Sequence, residues 1–148
     1  MIIRGELLKE LGIITPFCEK TVENGLTYGV NAVGYDIRLA EDLRSNEKNN
    51  FSLASSMEHF TMPDNIVAFV HDKSTLARMG LSVQNTVIEP GWVGYLTLEI
   101  AFHREQLRWL SKGSPIAQVI FHRLDKPVNP YSGKYQNAPE GVSSAIFE

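Results

Sequence analysis

At 148 residues the chain matches the size of one ordinary domain and is long enough to bury a core, and its 43% hydrophobic and 21% charged residues are those of a soluble globular protein. A net charge of −3, with no Lys/Arg cluster longer than a pair, excludes a broad nucleic-acid surface and leaves room only for a local cationic pocket. The single Cys18 excludes an internal disulfide and a thiolate metal cluster, and no stretch has the apolar run of a signal peptide or a membrane span, so a cytoplasmic protein without a membrane partner is expected.

Residues 5–11 (GELLKEL) place Leu7, Leu8 and Leu11 at helical spacing and predict a short amphipathic helix stopped at Gly12. From Phe17 the signals turn to strands. Residues 21–30 read as two extended runs around Asn24-Gly25, the strongest two-residue hairpin signal. Residues 34–39 (GYDIRL) alternate, with Tyr35, Ile37 and Leu39 on one face and Asp36 and Arg38 on the other. Residues 41–50 form a polar loop, 51–54 resume a strand, 63–65 are a Pro-Asp-Asn turn, and 66–70 are a continuous apolar strand. Beyond the central stretch, 104–112 are a polar connection and 116–121 a buried strand. From Asp125 the tail is rich in Pro, Gly and Asn without usable periodicity. It is either disordered or a segment that orders over a ligand. Many short strands with regular turn signals and little helix predict an all-β (mainly β) barrel or sandwich, a single domain over 1–148.

Chemistry concentrates between Asp72 and Phe102. Ser74 occupies the position of a helix N-cap ahead of residues 75–79, with Gly80 as the stop. Lys73 and Arg78 flank it, and Arg78 lies four residues on, near the same helical face. Unpaired N–H groups and two cations suit a phosphate; a capped surface turn with solvated cations is the plainer alternative. Glu89-Pro90-Gly91-Trp92 is a turn, with Pro presetting its second position and Gly supplying a positive φ at the third. Trp92 either stacks on a sugar or base or packs in the core. In residues 95–102, Leu96, Leu98, Ile100 and Phe102 form one face, and Tyr95, Thr97, Glu99 and Ala101 the other. Glu99 is a solvated acid if that second face is outside, and a proton carrier on a rigid element if it lines a cleft.

Several chemistries are absent. The four histidines form no HxxxH pair and the HxE…PCxxC signature is missing, which excludes a zinc-type nucleobase deaminase on ligand count. There is no P-loop, dinucleotide fingerprint or nucleophile elbow.

The segments KSTLARMGL (73–81), IEPGWVG (88–94) and Thr97-Leu98-Glu99 together resemble the dCTP deaminase branch of the dUTPase superfamily. GYDIRL (34–39) is similar to the superfamily's first motif, PIAQVIF (115–121) to its fourth, and Gly133-Lys134-Tyr135-Gln136 to the deaminase lid. The chain's length resembles the compact members of the family, among them virus-encoded ones. The resemblance implies a distorted dUTPase-like β-barrel (β-clip) with a short N-terminal and a short central helix, assembled as a homotrimer with nucleotide sites between subunits. It implies metal-independent deamination of dCTP to dUTP and ammonia in pyrimidine deoxynucleotide metabolism, with Mg²⁺ entering only on the triphosphate and no zinc. Carried onto this sequence, Glu99 is the general acid/base, and Ser74 and Arg78 position the attacking water, Glu99 and the phosphates. Lys73 and Gln118 match phosphate-side positions, Thr75 and Glu89 are further substrate contacts, and Trp92 lies near the sugar. Tyr131, Lys134 and Tyr135 belong to a lid, residues 125–148, that closes on the triphosphate.

The sequence also departs from the pattern. Residues 79–88 are shorter than the usual deaminase hairpin that reads the base and lack its basic residue, and Glu89 replaces the usual Asp. Three readings follow. The first is dCTP deamination through Glu99. The second is dUTP diphosphatase activity, alone or after deamination, with Glu89 activating water to give dUMP and pyrophosphate. The third is a non-catalytic nucleotide-binding regulatory trimer.

Overall fold

A strand with one apolar face must lay that face against another layer, and the alternating runs here are long enough to demand two facing sheets. The computed structural model describes residues 1–45, 49–105 and 107–147. Residues 46–48 of the expected polar loop, Gln106 and the final Glu148 lie outside them. The elements are α1 (Gly5–Leu11), β1 (Ile14–Thr15), β2 (Thr21–Glu23), β3 (Leu26–Asn31), β4 (Gly34–Arg38), β5 (Leu43–Arg44), β6 (Phe51–Thr61), β7 (Ile66–Asp72), α2 (Ser74–Arg78), β8 (Leu81–Val83), β9 (Val87–Ile88), β10 (Val93–Phe102), β11 (Trp109–Leu110) and β12 (Pro115–Arg123). One sheet runs β1-β6-β10-β8, a second runs β2-β3-β4-β12-β7-β9, and β11-β5 form a small ribbon; every strand pairing is antiparallel. A bridge between Leu39 and Ser56 links the two large sheets.

The mainly β class and the two short helices are as expected from the sequence. The Asn24-Gly25 hairpin joins β2 to β3, and its corner residues hold φ values of 50° and 76°. In β10 burial alternates residue by residue, with Gly94, Leu96, Leu98, Ile100 and Phe102 inside. Phe60 of β6 stacks against Phe121 of β12 at 6.5 Å between ring centroids, so the core is closed by residues from both sheets. Burying an aromatic or aliphatic side chain of this size contributes about 1.5–3 kcal/mol.

β6 is the main departure from expectation. It runs to Thr61, far past the predicted end at residue 54, because an irregularity lets its middle turn polar groups inward. Tyr95 pairs with His59, yet Thr97 pairs with Ser55, so β6 bulges between them. The Ser56 hydroxyl donates to the Glu58 carbonyl at 2.7 Å and accepts the Leu96 N–H at 3.0 Å, replacing the lost ladder bonds. The bulge also sends the fully buried Glu58 carboxylate to Arg38 of β4. The Arg38 backbone N–H reaches Oε2 at 2.9 Å, and its Nε reaches Oε1 at 2.8 Å. Burial lifts the Glu58 pKa above the ordinary carboxylate range, opposed by these Arg38 hydrogen bonds. Burial also works against the Arg38 charge, but the Glu58 carboxylate outweighs it and the guanidinium pKa rises. Both carboxylate oxygens accept Arg38 N–H groups, so the ion pair is the form held at neutral pH.

Candidate active site

The second face of β10 lines a cleft. Tyr95, Thr97 and Glu99 open into a pocket of about 470 Å³, within the range of small-molecule sites. Glu99 stands opposite Leu53 of β6, and its carbonyl accepts the Gln84 N–H at 2.8 Å, so its backbone is fixed on both sides. Glu89 and Trp92 form part of the same wall. The Glu89–Trp92 turn forms as expected: Trp92 N–H donates to the Glu89 carbonyl at 3.1 Å, and Gly91 has φ 79°. A Cβ at Gly91 would lie 2.3 Å from Pro130 Cβ, so glycine is required both by the turn and by the tail crossing it.

The tail packs back onto the cleft. It crosses the outer face of β10 and roofs the pocket with Tyr131, Tyr135 and residues 143–145. Tyr131 N–H donates to the Pro90 carbonyl at 2.8 Å, Ala138 bridges Gly94, and Tyr95 N–H donates to the Ala138 carbonyl at 3.1 Å. Trp92 resolves its two readings in a mixed way. It is buried and packs towards Phe60, yet it also faces the pocket, and its Nε1 donates to the Tyr135 carbonyl at 2.7 Å. Lys134 is exposed, with Nζ 5.5 Å from the Tyr135 ring centroid.

The remaining predicted residues form a separate group. Ser74, Thr75 and Arg78 are exposed on α2, and Lys73 precedes it. Lys73, not Ser74, is the N-cap, and no side chain caps the helix. Ser74 is the first helical residue, because Ala77 N–H already bonds to the Lys73 carbonyl at 2.9 Å, which fixes Lys73 as the flanking residue. Lys73 Nζ lies 3.1 Å from Asp36 Oδ2 and donates to Thr27 Oγ1 at 3.1 Å. Gln118 of β12 stands in register with Asp36 and His71, placing it beside this pair. None of Lys73, Ser74, Thr75, Arg78 and Gln118 lines the pocket that holds Glu99. Among the described residues that do line it, there is no lysine or arginine.

The connection between the two groups is the short hairpin. β8 and β9 flank residues 84–86, and the Asp72 carboxylate accepts the Val83 N–H at 2.7 Å. Val70 N–H donates to the Thr86 carbonyl at 3.0 Å. Thr86 and Val87 thereby enter the pocket wall, as do Phe51 and Leu53 from β6. Sequence reasoning missed all four, and it named Thr97 and Gln136 without a role, Gln136 only inside a motif of the family resemblance. The strand alternation that flagged Glu99 also marks Thr97, whereas Gln136 carried no pattern because the tail has no period.

Among the described residues no helix is long and apolar enough to cross a membrane, and no group of three His, Cys, Asp or Glu gathers to hold a metal.

The two bridged antiparallel sheets and the tail-covered cleft define a protein of the dUTPase-like fold. Solved structures agree in architecture. A dCTP deaminase from Agrobacterium tumefaciens superposes with a TM-score of 0.60 at 17% identity, over 82% of this chain and 47% of that one, so the chain spans about half that protein's length. A dUTPase from phage phi11 of S. aureus, described with a structural Mg(II) ion, gives 0.57 at 14% identity, over 80% of this chain and 91% of that one. In sequence, residues 41–124 match the dCTP deaminase-like family model. Proteins named dCTP deaminase from Roseiflexus castenholzii and Campylobacter curvus are 33% and 34% identical, over 88% and 90% of this chain and 89% of each relative. The chain belongs to the dCTP deaminase-like family.

Proposed function

We propose that the protein deaminates dCTP to dUTP and ammonia, with Glu99 carrying the protons. The observation that carries this reading is the position of Glu99: a carboxylate on a rigid strand, facing a roofed cleft, in a chain of this family. Ionised Glu99 takes a proton from the water that attacks C4 of cytosine. Glu99 gives that proton to N3, then takes the proton of the new C4 hydroxyl and passes it to the amine, so that the C4–N bond breaks, ammonia leaves and the C4 carbonyl forms. Once covered by a neighbouring copy, the apolar side chains of Phe51, Leu53 and Val87 exclude bulk water and strengthen the charge interactions of this step.

The triphosphate brings negative charge, Mg²⁺ accompanies it, and among the described residues the cleft walls hold no lysine or arginine. The reading therefore places the site between copies of the chain in a homotrimer. The Glu99 cleft of one copy faces the Lys73, Ser74, Thr75, Arg78 and Gln118 group of the next. Phe51, Leu53 and Val87 support this, since each is left 38–51% exposed at the cleft and would be covered by a neighbour. Ser74 and Arg78 then hold the water, Glu99 and the phosphates, with Lys73 adding a further phosphate contact. Tyr131, Lys134 and Tyr135 face the phosphates from the tail.

One observation favours a second reading. Glu89 shares the cleft with Glu99, so a second carboxylate is available to activate water against a phosphate, the chemistry of a dUTP diphosphatase. The deciding experiment incubates pure protein with dCTP and with dUTP, following ammonia and pyrophosphate separately. Ammonia from dCTP is expected. No ammonia at high enzyme concentration would sink the deaminase reading; pyrophosphate from dUTP would establish the second, and silence in both would leave a nucleotide-binding trimer.

A further inference from the structure

The tail is held unevenly along its length. Gln136 alone makes a closed set of bonds. Its Oε1 accepts the Val93 N–H at 2.8 Å and the Asn137 N–H at 3.2 Å. Its Nε2 donates to the Gly91 carbonyl at 2.9 Å and the Tyr131 carbonyl at 2.9 Å. The amide orientation is dictated by these partners, because a flipped carboxamide would set oxygen against two carbonyls and NH₂ against two N–H groups. Past Ala138 the holding is thinner: Ser143 N–H donates to Thr97 Oγ1 at 2.9 Å, and Ile146 N–H to the Tyr135 hydroxyl at 3.1 Å.

Gln136 thus joins two pieces of chain that each carry pocket residues. Gly91 and Val93 belong to the turn and strand that display Glu89 and Trp92, and Tyr131 and Tyr135 lie on the tail itself. Trp92 Nε1 to the Tyr135 carbonyl at 2.7 Å, and Tyr135 N–H to the Tyr131 hydroxyl at 3.2 Å, sit directly beside this junction.

We infer that Gln136 is the positioning residue of the nucleotide site, touching no reacting atom but locking the Glu89–Trp92 turn to the Tyr131–Tyr135 segment before substrate arrives. The inference rests on the nucleotide reading only for its effect on turnover; the locking itself is a property of the chain. Residues 130–138 form a fixed wall, and only the thinly held stretch beyond Ala138 has to move for a nucleotide to enter.

The test uses the full chain in a Trp109→Phe background, so that Trp92 is the remaining tryptophan and reports on the tail. Gln136→Glu puts an acceptor against two carbonyl oxygens, whereas Gln136→Met keeps the length and only loses the bonds. Expected results are a red shift of Trp92 emission and trypsin cleavage after Lys134 faster on the order of tenfold, both larger for Gln136→Glu than for Gln136→Met, with sheet circular dichroism retained. The KM for nucleotide rises on the order of tenfold while kcat changes much less, the split expected when a binding wall is displaced and the proton carrier is left in place. Wild-type emission and cleavage rates in both variants would overturn the inference, as would equal effects of the two. If Gln136→Glu does not fold, Gln136→Met decides on the same two readouts. A protein that turns over no dCTP leaves emission and cleavage as valid tests, so failure of the deaminase reading is distinguishable from failure of this one.

Discussion

Lys73 and Asp36 form a nearly buried ion pair, Nζ to Oδ2 at 3.1 Å with each side chain about 10% exposed. An ammonium has three donors, and Asp36 and Thr27 engage two of them. In the proposed site a third would meet a phosphate, with the pair aiming the cation as well as neutralising it. Asp36→Asn is expected to weaken nucleotide binding on the order of tenfold and to lower stability by about 2–3 kcal/mol, since it leaves a buried charge under-compensated. Denaturant midpoints and KM, measured together, check it.

The Arg38–Glu58 pair is buried more deeply. Glu58→Leu alone strands the guanidinium and is expected to cost about 3–5 kcal/mol, whereas Arg38→Met with Glu58→Leu should cost much less. A double-mutant cycle by urea unfolding gives the coupling directly. A loss in the double variant equal to the sum of the losses in Glu58→Leu and Arg38→Met alone would show that the pair is not coupled.

Tyr35 sets a limit at alkaline pH. It is fully buried, its hydroxyl accepts the Cys18 N–H at 2.9 Å, and burial, then the Glu58 charge, raises its pKa well above the usual tyrosine value. A raised folded pKa means the contribution is fully present below the unfolded value of about 10 and is lost as pH rises past it towards the folded value. Stability should therefore fall by on the order of 1 kcal/mol per pH unit above about pH 10 from this group. Tyr35→Phe should remove that part of the slope in urea titrations at pH 9, 10 and 11.

The architecture was legible wherever one face of a strand is buried against the other sheet. Residues 95–102 announced both faces of β10, and GELLKEL announced α1. The full length of β6 was not legible, because Ser55, Ser56 and Glu58 are buried polar residues that break the alternation, and their partners, Glu41, Leu96 and Arg38, are distant in sequence. The tail escaped for a related reason: its bonds run to the backbone of residues 90–95, and a backbone acceptor leaves no mark on composition. For the candidate site, Glu99, Glu89, Trp92, Tyr131 and Tyr135 were found in sequence and meet in one cleft. The α2 group was found too, but in one copy of the chain it stands apart from them.

That separation makes subunit mixing informative. Glu99→Gln and Arg78→Ala are each expected to be inactive alone. If each site takes Glu99 from one copy and Arg78 from the next, trimers reassembled from a mixture of the two variants contain some intact sites. Recovered ammonia release after unfolding and refolding together, absent when the variants are refolded apart, is the expected outcome. No recovery in verified mixed trimers would place both groups in the same copy's site.

The most direct measurement of the central claim is ammonia release from dCTP by Glu99→Gln beside the wild-type protein, with nucleotide binding followed by calorimetry. Loss of a proton carrier predicts a fall in kcat of roughly a thousandfold with dCTP still bound near wild-type affinity. Near-normal ammonia release by that variant would contradict the assignment of Glu99 and, with it, this account of the cleft.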